Sequence, residues 1–279
     1  MKRGNGRAAL SSPSPLAEEG WGGGYSSSAL AASPPSRPPS AVDLPRKGGG
    51  EREFAAKFEI KIAGVTLIAD PAGALYWSEQ GLLAVADLHL EKGSSFAARG
   101  VLLPPYDTAA TLARLARLVT QYAPRCVIAL GDSFHDGGGP ARLADEDRES
   151  LRVMQRGRDW IWITGNHDPE PAAGIGGTFT DTFALGPLTF RHLPSGAPGE
   201  ISGHLHPVAR IAHRGRAVSR RCFAADKTRL VMPAFGAFTG GLNVRDAAFA
   251  DLFGTLVFTA HLLGEGRLYT FAAKRCLPD

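Results

Sequence analysis

The sequence predicts an α/β fold in which the first half alternates strands with helices and the second half forms a mostly antiparallel sheet packed on the first. Three observations support this prediction. Continuous apolar runs, which suit strands buried on both faces, occur at 82–86, 126–130 and 160–164. Between them, apolar residues repeat at helical spacing over 112–119 and, less regularly, over roughly 141–157. Beyond about residue 180 the helical patterns stop and short strand-like runs follow one another.

Local signals justify the elements in chain order. Apolar runs at 58–63 and 65–69 flank Gly64, which predicts two strands joined by a tight turn. Pro104-Pro105 interrupts the chain, and Asp107 or Thr108 can cap the helix that follows. The next predicted helix begins with acidic residues, which favour the helix dipole. In the second half, strands are predicted at 183–185, 188–190, 208–212, 217–224 and 229–232.

Composition divides the 279 residues into an extension and a folded part. Up to about residue 50 the chain is dominated by Ser, Pro, Gly and Ala, which bury too little apolar area to offset the entropy of ordering. We therefore expect a disordered N-terminal extension over residues 1–53 and one folded domain over residues 54–279. A misplaced translation start would give the same composition. For the whole chain, a hydrophobic share of 44% is ample for a core.

The formal net charge of +4 belongs largely to residues 1–50 and not to the rest of the chain. Of the 31 basic and 27 acidic residues, six and three lie in residues 1–50, which leaves 25 against 24 for the rest. The basic character of the chain therefore does not by itself predict nucleic-acid binding. We find neither a signal-peptide pattern nor an apolar run of membrane-spanning length, and so we expect a cytoplasmic protein without a membrane partner.

Six of the eight histidines lie in or between four short motifs, and three of these motifs follow a predicted buried strand. Histidine and carboxylate side chains bind borderline and hard divalent metals. In open α/β sheets, ligand sites lie at the carboxyl ends of the strands. The sequence therefore predicts a metal site there. The motifs are Asp87-Leu88-His89, Gly131-Asp132-Ser133-Phe134-His135, Gly165-Asn166-His167-Asp168 and Gly203-His204-Leu205-His206, with His192 between the last two.

The types of side chain in these motifs favour a site for two ions. Asp87 and His89 can point at one ion, because residues two apart in an extended segment share a direction. Asp132 can use both carboxylate oxygens to bridge two ions, and Asn166 offers a neutral carbonyl oxygen. The remaining nitrogens would come from the histidines of the second half, His192, His204 and His206. Two divalent ions about 3.5–4 Å apart lower the pKa of a shared water and hold phosphoryl oxygens, which is the chemistry of phosphate-ester hydrolysis.

Together, the motifs DxH, GDxxH, GNHD, an isolated His and GHxH resemble the calcineurin-like metallophosphoesterase superfamily, from about residue 54 to about residue 275. The residues at 86–93, 130–136 and 233–241 are similar to the ligase-associated DNA damage response endonuclease family, PdeM. This resemblance implies a four-layer αββα sandwich of two mixed β-sheets and hydrolysis of phosphodiester bonds in DNA by a dinuclear metal-activated hydroxide. It also implies a role in DNA repair, in association with a DNA ligase, helicase and exonuclease.

The resemblance also implies a role for each motif residue. His167 would act as a general acid or as a donor to the phosphoryl oxygens, oriented by Asp168. His135 stands where many members have Asp or Asn, and it would hydrogen-bond to the substrate or to a metal ligand. Nitrogen and oxygen donors favour two Mn²⁺ ions, with Fe, Zn or a mixed pair as alternatives. The implied ligands are Asp87, His89 and His206 for the first ion, Asn166, His192 and His204 for the second, and Asp132 for both.

Several features admit a second interpretation. Arg214 and Arg216 would hold a nucleic-acid backbone near the metals, or they would only form a solvated hairpin face. The Gly-rich residues 233–241 would line the cavity or, as we favour, serve a structural role. An isolated histidine such as His192 is also compatible with a structural role. For the whole protein, the alternatives are a phosphomonoesterase or nucleotide hydrolase on the same site, and a non-catalytic scaffold that the filled ligand positions disfavour.

Overall fold

The structure, a computed structural model, describes residues 58–104, 106–172 and 174–279. The extension expected over residues 1–53 lies outside the described residues, as does the start of the expected domain at residue 54. All of the described residues fall within one compact unit, Gly49–Asp279. Two β-sheets form the centre of this unit.

The first sheet contains seven strands that lie side by side in chain order. They are Glu59–Ile62 (β1), Val65–Ala69 (β2), Leu75–Trp77 (β3), Leu82–Ala86 (β4), Cys126–Leu130 (β5), Asp159–Ile163 (β6) and Thr178–Thr180 (β7). Neighbours from β1 to β4 are antiparallel, and neighbours from β4 to β7 are parallel. The predicted bounds of β4 and β5 are confirmed, and β6 begins one residue earlier than predicted.

The second sheet contains nine strands. They are Thr182–Leu185 (β8), Leu188–Arg191 (β9), Glu200–Ser202 (β10), Pro207–His213 (β11), Arg216–Ala225 (β12), Leu230–Val231 (β13), Leu242–Asn243 (β14), Thr259–Gly264 (β15) and Arg267–Ala272 (β16). Their order is β14-β11-β12-β13-β10-β9-β8, with β15 pairing to both β12 and β16. The pairs β9–β10, β10–β13 and β11–β14 are parallel and the others antiparallel, so both sheets are mixed, as the resemblance implies.

The α-helices of the described residues are Lys92–Ala98 (α1), Asp107–Tyr122 (α2), Gly139–Arg142 (α3), Asp145–Gln155 (α4) and Ala247–Phe253 (α5), followed by a 3₁₀ turn at Ala273–Arg275. The helix predicted over 141–157 is thus two helices, α3 and α4. The expectation that helices stop after about residue 180 is wrong. The side chain of Asp246 accepts a hydrogen bond from the Ala248 amide and starts α5, and Phe249 and Phe253, one turn apart, are both buried.

The start of α2 differs from the predicted capping. Tyr106 is the N-cap residue, and no side chain caps the helix. The Asp107 carboxylate instead accepts from the Gly93 amide, and the Thr108 hydroxyl accepts from the Glu91 amide. Both side chains therefore fasten α2 to the start of α1.

Three apolar clusters define four layers. One cluster lies between the sheets and combines residues of both, such as Leu82 and Phe223. A second lies on the outer face of the first sheet, where Leu115 of α2 and Leu151 of α4 are fully buried. The third packs α5 on the outer face of the second sheet. The expected αββα sandwich is confirmed. No helix of the described residues has the length and apolar character that a bilayer crossing requires.

Candidate metal centre

Strand register brings the predicted motifs to one place. Ala86, Leu130 and Ile163, at the ends of β4, β5 and β6, are register partners, so the loops that follow begin side by side. In the second sheet, Arg191 of β9 and Ser202 of β10 are also register partners. His192 and the motif Gly203–His206 therefore follow neighbouring parallel strands and begin side by side.

The predicted metal ligands form two clusters. Ligand atoms of Asp87, His89 and His206 lie within 4.8 Å of one another, and so do those of Asp132, His192 and His204. The seventh predicted ligand, Asn166, belongs to the second cluster, because its Oδ1 lies 2.9 Å from His192 Nε2. All seven predicted ligands thus lie together, and they come from both sheets.

Asp132 lies between the two clusters. Its Oδ1 is 3.4 Å from Nε2 of His192, and its Oδ2 is 3.9 Å from Nε2 of His89. The carboxylate is almost fully buried and accepts the His167 amide at 3.0 Å. Each oxygen therefore faces a different cluster, which is the arrangement that a bridging ligand requires.

The hydrogen bonds around His192 show that this cluster suits a cation. Nδ1 lies 3.1 Å from the Leu130 carbonyl, which only accepts, so Nδ1 carries a proton. In the neutral ring, Nε2 is then an acceptor, yet it faces Asn166 Oδ1 at 2.9 Å and His204 Nδ1 at 3.3 Å. A metal ion satisfies such converging lone pairs, and a backbone carbonyl holding the other ring nitrogen is typical of metal-binding histidines.

The charges of His89 and Asp132 agree with this interpretation. Burial lowers the pKa of His89, and the neighbouring His206 lowers it further, well below the usual value. Burial raises the pKa of Asp132, but the hydrogen bond to His192 and the charges of His192 and His89 together outweigh burial and hold it well below its usual range. Burial lowers the pKa of His192, but the hydrogen bond to Asp132 and the charge of Asp87 raise it to about 9. Neutral His89 and ionised Asp132 are in the protonation states that bind metals, whereas His192 must release its Nε2 proton to bind an ion.

Five of the seven predicted ligands have a left-handed backbone. Their φ angles are +53° for Asp87, +42° for His89, +44° for Asp132, +67° for His204 and +43° for His206. For residues other than glycine, this conformation costs about 1–2 kcal/mol each. The surrounding contacts must therefore hold these residues in place, as is common at binding sites.

Two glycines let the backbone pass close to the ligands. A Cβ at Gly131 would lie 2.4 Å from the His192 ring, and a Cβ at Gly203 would lie 2.6 Å from Asp87 Oδ2. Gly131 also has a φ of +72°. The glycines that precede Asp132 and His204 are thus both required for close approach, and Gly131 is required for its backbone conformation as well.

His167 lies at the edge of the centre, with Nε2 3.9 Å from Asp132 Oδ2. The expectation that Asp168 orients its ring is corrected by the contacts. Nδ1 of His167 instead lies 2.9 Å from the His135 carbonyl. The Asp168 carboxylate accepts the amides of Ser133, Phe134 and Gly165, and so it joins the second motif to the third. Burial raises the pKa of Asp168 to about 7, although these amides oppose the shift.

His135 is buried and belongs to a group of aromatic rings. Its ring centroid lies 5.6 Å from that of His89, 5.4 Å from that of His167 and 5.5 Å from that of Phe96. His89, His135 and His167 could themselves hold an ion. Burial, followed by the charges of Lys92 and His167, lowers the pKa of His135 to about 4. The structure thus places His135 at the centre without separating its predicted roles.

Sequence reasoning missed Lys92 and Arg99, which lie beside the group of aromatic rings around His135. The Arg99 guanidinium lies 4.5 Å from the Phe96 ring centroid, and the Lys92 ammonium lies 5.7 Å from it. Arg99 is exposed, so the group extends from buried ligands to the surface. The signal that could have identified this surface is the helical spacing of two basic residues and one aromatic residue, Lys92, Phe96 and Arg99.

Arg214 and Arg216 lie away from the metal clusters. Both are exposed at the turn between β11 and β12, and Arg214 has a φ of +49°. Strand β11 begins next to His206 and is seven residues long, which at about 3.3 Å per residue spans roughly 20 Å. These arginines therefore cannot contact a phosphate held at the clusters.

A family match and the solved structure of one nuclease agree with this geometry. Residues 82–219 match the calcineurin-like phosphoesterase family. The crystal structure of the nuclease MPE of Pseudomonas putida is similar, with 29% sequence identity and a TM-score of 0.60, over 76% of this chain and 98% of that chain. YfcE, a phosphoesterase from E. coli, has 16% identity and a TM-score of 0.36, over 69% of this chain and 98% of that chain. None of the curated proteins matches the chain.

Proposed function

We propose that this metal-dependent hydrolase, which carries a calcineurin-like phosphoesterase domain, cleaves phosphodiester bonds in DNA at a centre of two divalent ions. The position of Asp132 is the main support. One oxygen faces His192 at 3.4 Å and the other faces His89 at 3.9 Å, so one carboxylate can serve two ions. The metals are divalent, as the family requires, and we propose Mn²⁺ because the donors are nitrogen and oxygen atoms.

The residues of the chain divide the work in this proposal. Two bound ions would supply a water of lowered pKa and positive charge for the phosphoryl oxygens. The clusters around Asp87 and around His192 would each hold one of these ions. Nδ1 of His167 donates to the His135 carbonyl, so only the imidazolium form of the ring can give a proton from Nε2 to the leaving oxygen or donate a hydrogen bond to the phosphoryl group.

The choice of DNA has separate support. A similar structure, at 29% identity, is that of a nuclease. Arg99 and the hairpin arginines Arg214 and Arg216 offer positive charge for a phosphate backbone. The role in repair, together with a ligase, helicase or exonuclease, rests on the PdeM resemblance alone.

A comparison of substrates tests the proposal. The full chain, stripped with EDTA and reloaded with Mn²⁺, is assayed on a DNA oligonucleotide, bis-p-nitrophenyl phosphate and p-nitrophenyl phosphate. We expect cleavage of both diesters and loss of about 100-fold or more in Asp132→Asn, because the shared ligand is weakened. Asp251→Asn, an exposed aspartate on α5, is the control. Cleavage of the monoester alone would favour a phosphomonoesterase, and no metal binding with no activity would favour a scaffold.

A further inference from the structure

We infer that Arg221 is a positioning residue for the half of the centre formed by Asp87, His89 and His206. This inference rests on the proposed function, because it assumes that these residues hold an ion. Arg221 acts through the loop at residues 233–241, which joins β13 to β14 and contributes no member to the ligand clusters of the described residues. Hydrogen bonds inside the loop and at its two ends connect the guanidinium to the ligands.

One end of the loop is fastened to the first motif. The Phe235 amide donates to the Ala86 carbonyl at 2.8 Å, and the Gly236 amide donates to the Asp87 carbonyl at 3.0 Å. A Cβ at Gly236 would lie 2.3 Å from the Leu88 carbonyl oxygen. The loop therefore lies directly against the backbone that holds Asp87.

The other end of the loop is fastened to the last motif. The Leu242 amide donates to the His206 carbonyl at 3.1 Å. A Cβ at Gly241 would lie 2.6 Å from the same carbonyl oxygen. The two ends of one loop thus contact two ligands of the same cluster, Asp87 and His206, whose Oδ1 and Nε2 atoms are 3.3 Å apart.

Arg221 occupies the inside of this loop. Its Nη1 donates to the carbonyls of Ala234 and Gly236 at 3.0 and 2.8 Å. Its Nη2 donates to the carbonyls of Ala237 and Thr239 at 3.4 and 3.0 Å. Four carbonyls that converge need donors, and the planar guanidinium supplies them in one rigid arrangement. Burial lowers the pKa of Arg221.

Two further contacts hold the loop without replacing Arg221. The Ala237 amide donates to the Thr111 hydroxyl at 3.1 Å, and the Arg114 guanidinium lies 4.1 Å from the Phe235 ring centroid. Neither contact spans the loop. The guanidinium of Arg221 therefore sets the separation of its two ends, and through them the separation of two ligands whose backbones are left-handed.

The test measures metal binding rather than turnover. EDTA-stripped full-length protein is titrated with Mn²⁺ by isothermal calorimetry, comparing wild type with Arg221→Gln and Arg221→Lys. We expect one of two binding events to weaken about 10- to 100-fold in Arg221→Gln and the other to stay unchanged, since residues that orient ligands have effects of this size. The Mn²⁺ affinity of Arg221→Lys should lie between those of the wild type and Arg221→Gln, because an ammonium cannot reach four carbonyls. Arg220→Gln, the exposed neighbour on β12, is the control with the same charge change.

Two results would overturn the inference. A folded Arg221→Gln protein that binds both ions with wild-type affinity would leave Arg221 with a structural role only, and the proposed function would stand. A wild type that binds no Mn²⁺ would overturn the proposed function and this inference together. If the Arg221 variants do not fold, Thr111→Val decides by the same criterion, with a smaller weakening of the same binding event expected.

Discussion

Several predicted ligands in the candidate centre adopt backbone conformations that are locally unfavourable but bring their side chains together. Asp87, Asp132 and His206 are buried and have left-handed backbones, a combination that few side chains adopt without support. The support comes from neighbours that leave room or donate hydrogen bonds. The Asp87 carboxylate accepts the His204 amide with both oxygens at 3.1 Å, which ties a ligand of the first cluster to one of the second. Small changes at such neighbours should therefore affect metal binding more than folding.

Gly131→Ala tests this expectation directly. The new Cβ would overlap the His192 ring, so we expect weaker Mn²⁺ binding by about 10-fold or more. Gly157→Ala is a matched control, because φ is +70° at Gly157 and nothing lies within 4 Å of its Cβ position. Gly157→Ala should lose roughly 1 kcal/mol of unfolding free energy from backbone strain, measured by urea denaturation, and Gly131→Ala should lose this amount plus the cost of displacing the His192 ring. Equal Mn²⁺ affinities in the two variants, measured by calorimetry, would contradict the prediction.

His167→Ala separates the two roles expected of that residue. As a general acid, His167 would matter for a poor leaving group and little for p-nitrophenolate, which departs without a proton. We then expect kcat to fall about 10²- to 10⁴-fold on DNA and much less on bis-p-nitrophenyl phosphate, with Mn²⁺ affinity unchanged. His213→Ala, at an exposed position, is the control. An equal fall on both substrates would instead assign His167 as a donor to the phosphoryl oxygens.

The β11–β12 hairpin extends away from the metal ligands. The β11 strand is buried at Pro207, beside His206, and exposed at His213. The β12 strand is exposed at Arg216 and buried from Cys222 to Ala225. The tip thus carries Arg214 and Arg216 into solvent, where only a long substrate can reach both the arginines and the metals.

The double variant Arg214→Ala/Arg216→Ala should therefore act on long substrates only. We expect a higher KM on long DNA, a weaker dependence of binding on salt, and unchanged kinetics on bis-p-nitrophenyl phosphate, because phosphate contacts release counterions. Arg152→Ala/Arg156→Ala, at the exposed C-terminal end of α4, is a control with the same change in charge. Loss of activity on the small diester as well would show that the hairpin supports the fold and does not follow a DNA backbone.

For the whole molecule, the centre joins the two sheets. Asp87, Asp132 and Asn166 follow strands of the first sheet, whereas His192, His204 and His206 lie in loops next to strands of the second. An ion held between them binds only when both sheets are folded and packed. Metal binding is therefore coupled to the stability of the whole domain.

Removal of the metal should lower Tm. At a Mn²⁺ concentration 100 times Kd, one site adds about 2.7 kcal/mol to the free energy of unfolding, so EDTA-treated protein should melt several degrees lower. Asp132→Asn should show little of this difference, because it lacks the shared carboxylate. A melting temperature that is the same with Mn²⁺ and with EDTA in the wild type would mean that the ligands do not form a binding site.

The sequence determined the parts of this protein that local patterns encode. Continuous apolar runs gave β4 and β5 with correct bounds, because a strand buried on both faces has no polar positions. The motifs that follow these strands supply predicted ligands that lie together, because parallel neighbours bring their carboxyl ends to one edge. Helix α5 was missed, because its seven residues are too few for a clear helical repeat.

Only the tertiary structure decided which residues support the ligands. The contacts of Asp168 with Ser133, of the His135 carbonyl with His167, and of Arg221 with residues 234–239 join parts of the chain that no local pattern connects. The same holds for the distance between the hairpin arginines and the metal clusters, which depends on the direction of β11. Spacing along a chain specifies which side chains bear the chemistry, whereas packing between distant segments fixes how they are held.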